Sequence, residues 1–288
     1  MKYITLILAG WLFVSSACTK SETPAPPPAT EEAKMLNISY GADTRNKMDV
    51  YLPKNRTAAT PFVILIHGGA WIAGNKEDMH GFQDLLLTRG FASMSMSYRF
   101  VNATVHYQQL MEDVHKAVTY CVSKSGEWNI RSTKIIISGA SAGAHMALLY
   151  GYKYDTDNRI SGIISLAGPT DLTDPAMLNY AASIGLGGVI NALAGATYVA
   201  GQPVDPNFAA ASPLKQAKNI PSLLVHGTVD MTVPYSQAEL LKAHLTQLGY
   251  THKLVTITGA GHDLGLTVPA NLVLVENEFR AWVETYSR

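Results

Sequence analysis

Short, continuous apolar runs alternate with amphipathic stretches along most of this 288-residue chain. The segments at 62–66 (FVILI), 134–138 (KIIIS) and 222–226 (SLLVH) are apolar almost throughout, which is typical of strands covered on both faces. Residues 107–123 instead repeat their apolar side chains at helical spacing. Strands that alternate with helices predict βαβ units, and therefore an α/β fold with a mostly parallel sheet.

The same criteria, applied to the whole chain, predict about eight strands flanked by helices. The strands are expected at 37–40, 48–52, 62–66, 92–97, 134–138, 162–166, 222–226 and 254–258. Helices are expected at about 77–88, 107–123, 142–152, 235–248 and 270–286. These elements form one predicted domain, residues 35–288.

Composition narrows the possible partners. Lys and Arg total 22, as do Asp and Glu, and no basic run is present, so we expect no nucleic-acid partner. A hydrophobic fraction of 47% excludes a disordered or fibrous protein. Two cysteines allow at most one disulfide, and Cys121, within a helical pattern, is expected to be a small buried core residue.

The first 17 residues have the pattern of a signal peptide. Lys2 precedes an apolar stretch at 4–14, and small residues follow at 15–17. The uncharged run at 3–17 is shorter than the roughly 20 residues that span a bilayer.

Cys18 follows these small residues directly, which resembles the lipobox of bacterial lipoproteins, although Ser15 stands where that family prefers Leu. The resemblance implies lipidation at Cys18 and a periplasmic or cell-envelope location, with contact to a membrane only through the lipid. Plain secretion is the alternative. Residues 18–34 are Pro-rich and are predicted to be an extended tether.

One segment interrupts the alternation of strands and helices. Residues 175–204 contain no charged side chain and five glycines. We expect a cap-like insertion at 175–210, after the sixth strand. It would either form a lid or wall beside a site, or simply cover the core.

The sequence Gly139-Ala-Ser141-Ala-Gly143 follows an apolar run and precedes a helical pattern. A tight strand-to-helix turn forces its central residue into strained backbone geometry and lifts the Ser hydroxyl clear of the sheet. Ser141 is therefore the candidate nucleophile.

A Ser hydroxyl needs a base, and the base needs an acid to orient it. His262 and Asp230 each follow a strand-like run, so all three side chains are expected at one end of the parallel strands. Asp171 also follows a strand and is the competing acid; its other predicted role is to support a loop below the site. Asp263 is a poor candidate because it adjoins His262.

His67-Gly68-Gly69-Ala70-Trp71 follows the FVILI run. Glycines leave backbone N–H groups accessible to a developing oxyanion, and such a loop pairs with the N–H after the nucleophile. The candidate oxyanion hole is therefore Gly68, Gly69 and Ala142.

These motifs together resemble the α/β-hydrolase superfamily, and within it the HGGxW-type carboxylesterases, which include bacterial acetyl- and feruloyl-carbohydrate esterases. The resemblance covers about residues 37–286 and rests on HGGAW, SMSYR, GASAG, ASPL, HGTVD and GAGH. It implies a serine esterase that needs no cofactor and acts on short acyl esters of small molecules or glycans. Ala70 and Ala144 stand where the family often has Gly, and imply an altered pocket shape.

Several other side chains lie near these motifs. Trp71 is either a pocket wall or a core residue, and His145, four residues after Ser141, is a tentative pocket residue. His67 is expected to hold the glycine loop, with support from Tyr98 and Arg99. No metal-ligand spacing such as HExxH is present, so no metal is expected.

Other activities share this pattern. A lipid esterase, an arylformamidase and a peptidase use the same fold and triad. A non-catalytic hydrolase fold that only binds a ligand is the alternative of a different class.

Overall fold

The computed structural model describes residues 29–288. The predicted signal peptide, Cys18 and all but the last residues of the tether lie outside this range. Within it, no helix combines the length and apolar character needed to cross a membrane.

A single eight-stranded sheet organises the described part of the chain, as predicted. The strands are β1 Ala33–Ser39, β2 Lys47–Leu52, β3 Phe62–Ile66, β4 Ala92–Met96, β5 Ile135–Ala140, β6 Ile160–Leu166, β7 Ser222–Gly227 and β8 His252–Ile257. Their order in the sheet is β1-β2-β4-β3-β5-β6-β7-β8. The β1–β2 and β2–β4 pairs are antiparallel and the others are parallel. The carboxyl ends of β3 to β8 therefore share one edge of the sheet.

The main departure among the strands is β1. It begins at Ala33, inside the predicted tether, and ends at Ser39, whereas the prediction was 37–40. Most of its side chains are at least partly exposed, because β1 is an edge strand, so no apolar run identifies it in the sequence.

Within residues 29–288, eight α-helices flank the sheet. They are α1 His80–Thr88, α2 Tyr107–Trp128, α3 Ala142–Leu149, α4 Pro175–Ser183, α5 Gly187–Ala194, α6 Pro206–Ala211, α7 Ser236–Gln247 and α8 Pro269–Tyr286. A 3-10 turn at Lys76–Met79 occupies the start of the first predicted helix, and a π turn at Tyr150–Tyr154 follows α3. Helix α2 continues five residues beyond its prediction and stops at Asn129, which adopts left-handed geometry with φ 54°.

The predicted insertion consists of α4, α5 and α6, which connect β6 to β7. Asp174 and Asp205 cap α4 and α6 by accepting hydrogen bonds from Ala176 N (3.0 Å) and Asn207 N (2.8 Å), and a Pro follows each cap. These N-caps fix where the first and last short helices of the insertion begin.

Two apolar cores cover the faces of the sheet. One contains residues of α1 and α8, such as Leu86 and Val283. The other contains residues of α2, α3, α7 and the insertion, and includes Cys121, which is buried as predicted. Burial raises the pKa of the Cys121 thiol, so it stays protonated and inert.

The helix that follows Ser141 approaches the neighbouring strand at main-chain distance. A Cβ on Gly143 would lie 2.1 Å from the Ile66 carbonyl oxygen, and a Cβ on Gly139 would lie 2.3 Å from Gly143 C. Both glycines of the Gly-x-Ser-x-Gly motif are therefore required by the crossing of β5, α3 and β3.

Replacing Gly143 with Ala should destabilise the protein by about 1–3 kcal/mol, because the methyl group must displace backbone. Gly126→Ala is the matched control, since this helical glycine has open space around its Cβ position. Gly126→Ala should raise the free energy of unfolding by up to about 1 kcal/mol, because Ala favours the helix more than Gly does. Chemical denaturation measures both, and equal effects at the two positions would contradict this account of the crossing.

Candidate active site

Ser141 lies at the turn between β5 and α3. Its backbone has φ 54° and ψ −118°, outside the region that L-residues normally occupy. A hydrogen bond from Ser141 N to Leu166 O (2.7 Å) fixes the turn to the next strand. The strain predicted for the motif is therefore present, and it directs the hydroxyl away from the sheet.

His262 contacts both of its predicted partners. Its Nε2 lies 2.8 Å from Ser141 Oγ, and its Nδ1 lies 2.7 Å from Asp230 Oδ2. A carboxylate can only accept, so Nδ1 carries a hydrogen and Nε2 of the neutral ring can accept from the hydroxyl. The structure thus brings together the three side chains selected from the sequence, in the arrangement needed for nucleophilic catalysis.

Asp230 accepts four hydrogen bonds. Oδ1 accepts from Thr232 N (2.8 Å) and Val233 N (2.9 Å), while Oδ2 accepts from His262 and, at 3.1 Å, from His226 Nε2. Burial acts to raise the pKa of this carboxyl group, but the hydrogen bonds outweigh it and hold the pKa well below its usual value. The carboxylate therefore stays ionised beside His262.

His226 is a contact of the triad that the sequence-based analysis missed. It is buried, and its Nε2 also lies 2.9 Å from the Val233 carbonyl oxygen, so Nε2 carries a hydrogen that Asp230 and Val233 share. The HGTVD motif could have indicated this contact, because His226 and Asp230 are its first and last residues, four positions apart.

Asp171, the competing acid, supports a loop. Its Oδ1 accepts from Thr173 N (2.8 Å) and Thr173 Oγ1 (2.6 Å), and Oδ2 lies 3.3 Å from Lys215 Nζ. These partners match the loop-supporting role that was the alternative for this residue.

The glycine loop lies against the nucleophile. A Cβ on Gly68 would be 3.2 Å from Ser141 Cβ, and Gly69 adopts φ 106°, which favours glycine. Ala142 N belongs to the first turn of α3, where backbone N–H groups have no acceptor within the helix. Gly68 and Ala142 therefore lie beside Ser141, and Gly69 lines the same cavity.

His67 and Tyr98 hold the base of this loop. Their rings stack with centroids 4.3 Å apart, and the Tyr98 hydroxyl donates to His67 O (3.1 Å). Burial lowers the pKa of His67 to about 4, so the ring is neutral at neutral pH.

Arg99 was expected to support the same loop, and this expectation is wrong. Its guanidinium binds Asp113 of α2, with Nη2 to Oδ1 at 2.8 Å. Arg45 supports the loop instead: it donates to Gly74 O (2.8 Å) and Tyr98 O (2.7 Å), and lies over the Phe100 ring. Arg45 precedes β2 in the sequence, so no local pattern connects it to the loop.

Trp71 and His145 do not line the cavity at Ser141, which corrects their tentative assignment to the substrate pocket. Both are buried and pack edge to face, with centroids 5.2 Å apart. His145 Nε2 donates to Ala211 O (2.8 Å), and burial lowers its pKa to about 4. The four-residue spacing from Ser141 does not place His145 on the same face, because Ser141 precedes the helix. All eight residues of α3 are buried, so burial does not distinguish a face either.

A cavity of about 560 Å³ opens at Ser141. Its walls include apolar side chains from four parts of the chain: Ile72, Phe82, Leu186, Leu264 and Leu266. The volume lies in the range of small-molecule sites. Leu186 comes from the predicted insertion, so part of that insertion does form a pocket wall.

No group of three or more His, Cys, Asp or Glu side chains in residues 29–288 could hold a metal ion. The cavity at Ser141 is lined by Ser141 and His262, by the backbone of the glycine loop, and by two further polar residues, Thr232 and Asp263. The Ser–His pair and the nearby backbone N–H groups suit acyl transfer.

A family model described as BD-FAE matches residues 48–245. A probable isoprenylcysteine alpha-carbonyl methylesterase of Arabidopsis thaliana is 26% identical over 256 residues, covering 81% of this chain and 52% of that protein. The chain spans little more than half the length of the curated relatives it matches first.

Solved structures establish the α/β-hydrolase fold. A truncated carbohydrate esterase from gut microbiota superposes with a TM-score of 0.72 at 21% identity, over 91% of this chain and 100% of that one. Esterase 2 of Thermogutta terrifontis with bound propionate gives a TM-score of 0.65 at 21% identity, over 88% and 95% of the two chains.

Changing Asp230 to Asn should lower kcat for p-nitrophenyl acetate by about 10⁴-fold, because the amide favours the wrong tautomer of His262. Asp171→Asn, the matched control, should leave kcat within a few-fold of the unmodified enzyme. Steady-state kinetics of the two purified variants decides between the acids. A large loss at Asp171 with little loss at Asp230 would reverse the assignment.

The lowered pKa of Asp230 also predicts a pH dependence of stability. A group whose pKa is depressed by folding contributes stability above its unfolded pKa, and this stability is lost as pH falls towards the folded pKa. The free energy of unfolding should therefore drop more steeply below pH 4 in the unmodified protein than in Asp230→Asn. Denaturant titrations of both proteins between pH 6 and pH 3 measure the free energy of unfolding. If it falls equally with pH in the two proteins, Asp230 makes no such contribution.

Proposed function

We propose that this chain, which belongs to the BD-FAE family of α/β-hydrolases, hydrolyses carboxylic esters with Ser141 as the nucleophile. One observation carries the proposal: the hydrogen-bonded series Asp230–His262–Ser141 ends at the cavity, with distances of 2.7 and 2.8 Å. The esterase names of relatives and structural neighbours support it.

In the proposed reaction, Ser141 Oγ attacks the ester carbonyl carbon while His262 Nε2 takes the hydroxyl proton. The tetrahedral intermediate then collapses, the C–O bond to the alcohol breaks, and His262 returns the proton to the leaving alcohol. Water repeats these steps on the acyl-enzyme and releases the acid. Asp230 holds the ring in the productive tautomer and stabilises the imidazolium.

Backbone N–H groups of Gly68, Gly69 and Ala142 would bind the oxyanion. Loss of one such donor typically costs about 3 kcal/mol of transition-state stabilisation. The close approach of Gly68 to Ser141 is the structural feature that favours these donors.

The acyl group that we propose is neutral and short or aromatic. The apolar walls supplied by Phe82, Leu264 and Leu266 would leave an acyl carboxylate without a partner. A cavity of about 560 Å³ also holds acyl groups larger than the acetyl group. Among the structural neighbours are a carbohydrate esterase, whose name favours acyl esters of carbohydrates for this chain, and an esterase with bound propionate, whose name favours a short acyl group.

We also propose that the protein is exported and anchored to the cell envelope by lipid on Cys18. The support is the sequence pattern at 1–18 and the Pro-rich segment that follows it. An envelope location would bring the site to esters of extracellular glycans.

Ser141→Ala should abolish fluorophosphonate labelling and lower p-nitrophenyl acetate turnover by at least about 10⁴-fold, because the nucleophile is lost. Ser138→Ala is the matched control: this serine lies three residues away on β5, is buried, and its Oγ has no hydrogen-bond partner within residues 29–288. It should keep both activities. Unlabelled unmodified protein would instead indicate a non-catalytic hydrolase fold.

A further inference from the structure

One oxygen of Asp230 lies between two imidazole rings. His262 Nδ1 is 2.7 Å from Oδ2, and His226 Nε2 is 3.1 Å from the same atom. The backbone N–H groups of Thr232 and Val233 both bind the other oxygen, Oδ1. Of the two rings, it is that of His262 that contacts the nucleophile. The acid therefore divides one oxygen between the candidate base and a second histidine.

His226 is fixed on the sheet. It is the second-last residue of β7 and is buried. The Tyr235 ring packs edge to face against its imidazole, with centroids 5.8 Å apart, and the Tyr235 hydroxyl is hydrogen-bonded to Thr256 Oγ1 at 2.7 Å. Asp230 lies on the loop that follows β7. Its carboxylate is thus attached to a strand side chain that has little freedom to move.

The hydrogen on His226 Nε2 does not depend on the charge of the ring. Nε2 also lies 2.9 Å from the Val233 carbonyl oxygen, which can only accept. A neutral ring therefore carries its hydrogen on Nε2, and a charged ring carries one on each nitrogen. In both states His226 donates towards Asp230 Oδ2, so its action on the carboxylate does not require it to titrate.

The ionisable neighbours of His226 are Asp230 and Tyr235. Its register partner on β8 is Thr256, and on the β6 side Ala167 N binds the carbonyl oxygen of the preceding residue, so both neighbouring strands present neutral side chains. Within residues 29–288, no lysine, arginine or further carboxylate pairs with His226. Asp230 is therefore the charged group that this ring meets.

His262 has two carboxylates near it. Asp230 binds its Nδ1, and Asp263, the next residue along the chain, lines the same cavity and accepts from Gly265 N at 3.0 Å. A change at His226 acts on the first of these carboxylates and leaves Asp263 as it is. Any effect of His226 on His262 therefore passes through Asp230.

A carboxylate oxygen that accepts from two donors is a weaker acceptor for each of them. Burial acts to raise the pKa of Asp230, and the hydrogen bonds from His226 and His262 act to lower it. His226 thus offsets part of the negative charge that faces His262. Without this donor, Asp230 would stabilise the imidazolium form of His262 more strongly, and the enzyme would lose its neutral base at a higher pH.

We infer that His226 is a positioning residue that, by sharing Asp230 Oδ2 with His262, extends the activity of the enzyme to lower pH. His226 does not line the cavity at Ser141, so it acts through Asp230 and not on the substrate. The inference rests on the proposed esterase function, in which neutral His262 is the base, and it adds a fourth side chain to the hydrogen-bonded series.

Three substitutions at His226 separate the hydrogen bond from the shape of the side chain. His226→Gln keeps an N–H at about the position of Nε2, His226→Asn is too short to place one there, and His226→Leu has none. The matched control is His145→Leu, which also removes a buried histidine whose Nε2 donates to a backbone carbonyl, Ala211 O at 2.8 Å. The measurement is kcat/KM for p-nitrophenyl acetate from about pH 5 to pH 9.

In His226→Leu and His226→Asn we expect the acid limb of kcat/KM to move to higher pH by about 0.5 to 1 pH unit. His226→Gln should restore the limb to its position in the unmodified enzyme, and His145→Leu should not move it. A purely structural role would lower kcat or Tm and leave the limb in place. An unmoved limb in His226→Asn, or an equal displacement in His226→Gln, would overturn the inference. Thermal unfolding verifies that each variant folds, and the Asn and Gln variants suffice if His226→Leu does not.

Proton NMR gives a readout that needs no substrate. The hydrogen between His262 Nδ1 and Asp230 Oδ2 should give a resonance far downfield, identified by its loss in His262→Gln. It should move further downfield in His226→Asn, because one donor fewer on Oδ2 shortens this hydrogen bond, and stay in place in His226→Gln. A resonance that stays in place in His226→Asn would contradict the inference and leave the esterase intact. If the unmodified protein hydrolyses no ester, the proposed function itself fails.

Discussion

The main-chain contact between α3 and the end of β3 is the constraint on which the site depends. Gly143 lies so close to the Ile66 carbonyl oxygen that no side chain fits between them. This contact places the N-terminus of α3, with Ser141 before it and Ala142 in its first turn, directly beside the loop that carries Gly68. The same contact between α3 and β3 therefore positions both the nucleophile and the proposed oxyanion donors relative to the parallel sheet.

Much of this arrangement is predictable from sequence, because strands that are buried on both faces of the sheet appear as continuous apolar runs. The apolar runs at 62–66 and 222–226 identify strands in the middle of the sheet, and the residues that follow these strands must meet at one edge. That reasoning selected Ser141, Asp230 and His262. Edge strand β1 has no such signature and was misplaced for that reason.

Contacts between distant segments were not predictable in the same way. Arg45 reaches the glycine loop across 29 residues of sequence to Gly74, whereas Arg99, which adjoins Tyr98, turns to α2. His145 shows the limit of helical spacing as an argument. A fully buried helix has no solvent face, so the distance of four residues from Ser141 carries no information about orientation.

Asp230 uses all of its hydrogen-bonding capacity within the protein. Two backbone N–H groups and two imidazoles occupy about four lone-pair sites, so this carboxylate has little need of water. When His262 becomes positively charged in the proposed reaction, the opposing dipoles are already oriented. Solvent need not reorganise around Asp230 during the reaction. The free-energy cost of orienting these dipoles is therefore incurred once, during folding, and does not add to the activation barrier of each turnover.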